Sequence, residues 1–239
     1  MKIPITFLNT KHELTIDRAH YIRRLGYPKN HDISEEVEAS MQWAHQWYVE
    51  NGTPWMQIYE VDVVLKDRKL YVDGIVINSE KVFHRFQKHQ VQKAMLLAMT
   101  AGAEVDVKIT NLWSSDYPDR SFFLETFSAS VTEALVSFAV DYIDQWTAIK
   151  NQSALSRYSP GYPGWELKDQ FKLMEIIARK ENKIPITIGE TALLSPLKSQ
   201  LAFIGIHTSK ESKNIDIACT KCSFNNCACK DKGLFIKKQ

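Results

Sequence analysis

For its first 218 residues the chain has no cysteine, and all four cysteines stand together between Cys219 and Cys229. A disulfide framework spreads its cysteines along the chain, so cross-linking is not what holds this fold together. An excess of charge of one sign is also missing: 30 basic and 28 acidic residues leave a formal net charge of +2. That balance produces no global field calling for nucleic acid or an anionic membrane, and neither is expected as a partner. No apolar run approaches the ~20 residues that span a bilayer. The opening MKIPITFLNT has one lysine and a very short apolar run, without the small-residue cleavage site of a secretion signal. A cytoplasmic protein is expected. Internal repeats and low-complexity segments are absent, as are the G-x-G-x-x-G, P-loop, H-E-x-x-H and G-x-S-x-G signatures.

What is present suits a folded core. Apolar residues make up 44% of 239 positions and charged residues 24%, enough for one large domain or a domain with an appendage. Residues 17–26 read as a short helix with Asp17 as cap and Gly26 as stop. Residues 34–50 read as a second, capped by Ser34, with Val37, Met41, Ala44 and Tyr48 on one face. Residues 57–65 and 69–77 read as the arms of a β-hairpin, and 81–92 as helix. Residues 93–100, KAMLLAMT, fit a buried strand or a helix, because periodicity cannot separate the two over so short a run. A long helix is predicted over 121–146, with Phe127, Val131, Ala134, Phe138 and Tyr142 as its apolar stripe. A helix at 166–181, with Leu167, Phe171, Met174 and Ile177 inward, precedes strand-like stretches at 184–191 and 200–207. Helices and strands mix without βαβ alternation, so the expected class is α+β: helices packed around a largely antiparallel sheet. The chain divides at about residues 80 and 210 into an N-terminal part, a core and a cysteine-rich tail.

Three constellations carry chemistry. The first is the loop Arg157-Tyr158-Ser159-Pro160-Gly161-Tyr162-Pro163-Gly164-Trp165. Two prolines fix φ, two glycines allow close backbone approach, and Arg157 offers a planar fork suited to a carboxylate. It reads either as a ligand loop or as a rigid turn before a helix. The second is Glu133, the only charged residue between Thr126 and Val140. A buried lone carboxylate is costly, so Glu133 either lines a polar ligand cavity beside Ser130 and Ser137, joins an internal salt bridge, or sits on an exposed strip. The third is Cys219-x-x-Cys222-x(4)-Cys227-x-Cys229, flanked by Lys213, Lys221, Lys230 and Lys232. Four thiolates so spaced can close around one zinc ion or ligate an iron–sulfur cluster, or stay free thiols; the spacing matches no standard zinc ribbon. His45, His84 and His89 read as plain surface residues.

The run Arg157-x-x-Pro160-Gly161-Tyr162-Pro163 resembles the R-x-x-P-G-Y-P signature of the activation domain of cobalamin-dependent methionine synthase. Thr132-Glu133-Ala134-Leu135 resembles that family's A-E-A helix, and Ile186–Thr191, continuing to Pro196 and Ser199, its later T-E-S…P segment. The matches fall in family order across roughly residues 80–207. The resemblance implies an activation-domain fold with its core at 81–210 and S-adenosylmethionine as ligand. Arg157 then holds the methionine carboxylate, Glu133 the amine or ribose, and the backbone near Ser159 and Gly161 the adenine. Tyr162 faces the corrinoid, and Glu190 belongs to the ligand site. It implies an accessory role in the reductive methylation of cobalamin held by a separate methionine synthase or other corrinoid protein, with flavodoxin or ferredoxin as electron donor. An aromatic surface at Tyr158, Tyr162 and Trp165 is expected to be exposed for that partner. The alternative function is a zinc- or iron–sulfur-binding interaction module. The sequence departs from the family where an acidic residue stands six positions before the arginine, a place held here by Asn151. The D-x-H-x-x-G motif that supplies a histidine to cobalt is absent.

Overall fold

The computed structural model describes residues 5–8, 14, 16–28 and 31–208, with the backbone alone for 5–8. In chain order its elements are β1 (Ile5–Leu8), α1 (Arg18–Arg24), α2 (Glu35–Asn51), β2 (Trp55–Lys66), β3 (Lys69–Val72), β4 (Ile75–Ile77) and α3 (Glu80–Lys88). Then come β5 (Lys93–Thr100), α4 (Ala103–Trp113), α5 (Pro118–Ile149), β6 (Ser153–Ala154), a 3-10 turn (Leu167–Asp169), α6 (Gln170–Ala178), β7 (Thr187–Ile188), β8 (Leu194–Ser195) and β9 (Ser199–His207).

The ambiguous KAMLLAMT run is strand β5, at the centre of the main sheet. The sheet order is β4-β3-β2-β5-β9-β6, β1 adds to β2, and every pairing is antiparallel. Seven of the eight β5 positions are buried, because helices cover both faces and remove the polar alternation of a half-exposed strand. Ala94, Leu96 and Ala98 join Phe203 in a core with α3, α6 and the 158–165 loop. Met95, Leu97 and Met99 face the opposite core, with α1, α2, α4 and α5. The α+β class with an antiparallel sheet is therefore the observed architecture. β2 and β5 lie on either side of residue 80 in sequence and pair along eight positions.

Local signals set most boundaries. Asp17 accepts from the Ala19 amide, Ser34 from Val37 and Ser79 from Val82, each capping the helix that follows. The second hairpin arm is broken into β3 and β4 by Asp73 and Gly74, at φ 46° and 81°. The expected strand at 184–191 contracts to β7, which pairs only with β8 in a separate ribbon.

Two helix faces differ from expectation. α5 buries Leu124, Phe127, Val131, Leu135, Ala139, Ile143 and Trp146, while Ala134, Phe138 and Tyr142 are half-buried. Over the long helix the buried line advances mostly by four residues, and the predicted stripe slipped by one at residue 134. In α6 the inward residues are Leu173, Ile176 and Ile177, whereas Leu167 and Phe171 are exposed. The segment opens with a 3-10 turn, whose three-residue period shifts the phase of the helix after it. α5 is long and apolar enough to cross a membrane by length and composition, yet its buried line is core against the sheet.

Candidate functional site

The site forms where the 157–165 loop meets the middle of α5. β6 pairs with the end of β9, and Tyr158 and Phe203 exchange amide hydrogen bonds of 2.9 and 2.8 Å. Arg157 lies between these two attachments, so its backbone is held against the sheet edge. The loop then closes on itself. The Tyr162 amide donates to Ser159, Gly161 to Trp165, and Trp165 to Tyr162. Gly161 and Gly164 sit at φ 91° and 87°, where an L side chain is strained.

Aromatic packing locks the loop onto the sheet. Trp165 lies between Tyr158 and Phe203, stacked at 6.2 and 5.6 Å between ring centroids. Its indole N–H donates to Asp169 at 3.0 Å. That buried carboxylate also accepts from the Asn78 amide at 2.7 Å and pairs with Lys172 at 2.8 Å. The Tyr158 hydroxyl donates to the Pro163 carbonyl at 2.5 Å. Tyr158 and Trp165 are each 3% exposed, which corrects the expectation that they present an open docking surface. Trp165 stacks on Phe203 and Tyr158 on Trp165, which makes both core; of the three rings only Tyr162 is half-exposed, edge-on to Tyr158 at 5.4 Å.

From this anchored loop the Arg157 guanidinium reaches Glu133 at 2.9 Å. Their side chains are 12% and 26% exposed, a range in which water screens the pair only in part. A second cation, Arg24, stands 3.7 Å from the other carboxylate oxygen. Arg24 ends α1, which Tyr21 pins to α5 through a 2.8 Å hydrogen bond to the Phe123 carbonyl and an edge contact with Phe127. The Arg24 Nε–H donates to His20 Nε2 at 3.0 Å. Two guanidinium groups thus flank one carboxylate. Such an arrangement matches the two ends of an amino acid: carboxylate to arginine, ammonium to glutamate.

The remaining predicted residues lie around this centre to different degrees. Ser159 is buried, and its hydroxyl accepts from the Gln200 amide at 3.2 Å. Ser130 is buried and turned to the Thr126 carbonyl, while Ser137 is exposed. Glu190 is exposed on the turn joining β7 to β8, and no hydrogen bond or ion pair joins it to Arg157 or Glu133 among the described residues. Asn151, at φ 54°, is in the turn that ends α5, a left-handed position that asparagine tolerates. Cys219, Cys222, Cys227 and Cys229 lie outside the described residues.

Sequence reasoning missed Arg24, His20 and Gln200. The four-residue spacing of His20 and Arg24 places them on one helix face. Nothing in the sequence says which element that face meets; the packing of Tyr21 decides it.

No protein-family model matches the sequence, and no curated protein matches it. Solved structures share its fold, which is here an α+β domain in which helices cover both faces of an antiparallel sheet. One such structure is the MetH reactivation domain bound to AdoHcy, which aligns with a TM-score of 0.64 over 87% of this chain and 80% of that one, at 10% identity. The chain has the reactivation-domain fold.

Proposed function

We propose that the chain binds S-adenosylmethionine at Arg157 and Glu133 and serves the reductive methylation of cobalamin carried by a separate corrinoid protein, such as a methionine synthase. The observation that carries this reading is the Arg157–Glu133 pair at 2.9 Å, which joins the Pro/Gly loop to α5. It gains support from a fold shared with a domain crystallised with AdoHcy. The amino-acid end of the ligand is a zwitterion. Binding it lets each side chain exchange one ionic partner for another, so neither charge is left buried and alone.

The cobalamin supplies the metal that accepts the methyl group, and flavodoxin or ferredoxin supplies the electron. This chain's own part is positioning and exclusion of water. Arg157 and Glu133 orient the methionine end, the loop backbone from Ser159 to Gly161 borders the adenine, and half-exposed Tyr162 faces the corrinoid. Glu190, exposed on the β7–β8 turn, is a further candidate for the ligand site. Cys219, Cys222, Cys227 and Cys229 form one zinc or iron–sulfur centre in the tail; the support is that every cysteine of the chain lies in this cluster.

Reconstitution tests the proposal. A methionine synthase lacking its own activation domain, inactivated to cob(II)alamin, is mixed with this protein, adenosylmethionine and a low-potential reductant. Methylcobalamin absorbance should recover only when the chain is added, and less with Tyr162→Ala. Equal recovery without the chain contradicts the proposed role.

A further inference from the structure

The second cation at the site has no part in the reading above. Arg24 is held where it is by three features: the Tyr21 anchor on α5, the Nε–H bond to His20 at 3.0 Å, and the approach to Glu133 at 3.7 Å. Arg24 donates and His20 Nε2 accepts, and this bond orients the guanidinium. Glu133 is then shared by two cations, while a zwitterionic amino-acid end needs only one of them.

We infer that Arg24 is a specificity-determining residue that makes the site discriminate by the charge on the ligand's sulfur, favouring the neutral thioether of S-adenosylhomocysteine over the sulfonium of S-adenosylmethionine. The inference rests on the reading of Arg157 and Glu133 as the adenosylmethionine site. The two ligands share carboxylate, ammonium, ribose and adenine. They differ by one methyl and one positive charge, on a sulfur only two methylenes from the carbon that carries the amino and carboxyl groups. A ligand whose ammonium sits at Glu133 has its sulfur only four bonds away, near the carboxylate that Arg24 approaches at 3.7 Å. Arg24 is 21% exposed along its side chain, so its field is partly screened. Two unit charges about 8 Å apart repel enough to change affinity about twofold at the dielectric of water and about thirtyfold at an effective dielectric near 20. An intermediate, three- to tenfold effect is expected.

The experiment is calorimetric titration of the full chain with each ligand, for wild type, Arg24→Gln and Arg24→Lys. The quantity read is the ratio of the two dissociation constants, which general loosening of the site does not alter. The wild-type ratio should favour the homocysteine form. Arg24→Gln should lower the ratio about three- to tenfold, and Arg24→Lys, which keeps the charge, should retain it. If Arg24→Gln does not fold, wild type titrated at rising salt serves instead, and the ratio should move toward one as the charges are screened. A ratio unchanged in Arg24→Gln, or insensitive to salt, overturns the inference and leaves the binding site standing. Wild type that binds neither ligand overturns both.

Discussion

Arg157 and Glu133 stand 24 residues apart in sequence and 2.9 Å apart in space. Two independent elements create that contact: the loop that fastens Arg157 to β9 and the long helix that carries Glu133 past it. Neither side chain is near the other by local chain geometry, so the pair reports on the fold as a whole. Arg24 at 3.7 Å adds a third element, α1, to the same point.

The loop depends on its indole. Trp165→Ala removes a ring stacked between Tyr158 and Phe203 and deprives buried Asp169 of a donor. Urea unfolding should show a loss of about 3–5 kcal/mol. Trp165→Phe keeps a ring and loses only the hydrogen bond, and should cost less, about 1–2 kcal/mol. Equal, negligible losses in both variants contradict the description of the loop as part of the core.

Alkaline pH should unfold the protein through its buried phenols. Burial pushes the Tyr21, Tyr48 and Tyr59 hydroxyls well above the usual tyrosine value, with Glu104 adding to the effect at Tyr48 and Glu181 at Tyr59. Below pH ~10 both folded and unfolded forms keep these protons, and the three groups add no pH dependence. Above it the unfolded chain releases them and the folded chain does not, so stability falls as pH rises. Ultraviolet titration of tyrosinate should show these three of the nine tyrosines ionising together with loss of near-ultraviolet circular dichroism. Smooth, independent titration of all nine in a folded protein contradicts this.

Metal content tests the cysteine cluster. Protein purified anaerobically without chelator should contain about one zinc, or iron with sulfide, per chain. Replacing Cys222 and Cys227 by serine should abolish it. Metal-free protein with four freely titratable thiols rejects the centre.

How much of this was legible in the sequence follows the physics of each segment. α2 was placed nearly to the residue because Ser34, the acidic first turn and a stripe at spacings of four and three all agree. β5 was left open because a strand buried on both faces has no alternation to read. α4 went unassigned: Val105, Val107 and Ile109 alternate as a strand does, although only Val105 of the three is fully buried. Glu133 was singled out as a costly lone carboxylate, and of its three readings the structure shows the internal salt bridge, with Arg157 and Arg24. Arg157 was found through the loop motif, whereas Arg24 owes its place to the docking of α1, which one-dimensional patterns do not encode. The aromatic loop was misjudged in exposure for a related reason: composition marks Tyr158 and Trp165 as contact residues but does not say that the contact is Phe203.

The central claim, that this site holds adenosylmethionine, is tested most directly by calorimetry of that ligand against wild type and Arg157→Ala. The account predicts one ligand per wild-type chain. The variant should bind more weakly by about 1.5–3 kcal/mol, the worth of a charged hydrogen bond, with affinity down roughly ten- to a hundredfold. Equal affinity in the two proteins, or no binding to wild type, contradicts it.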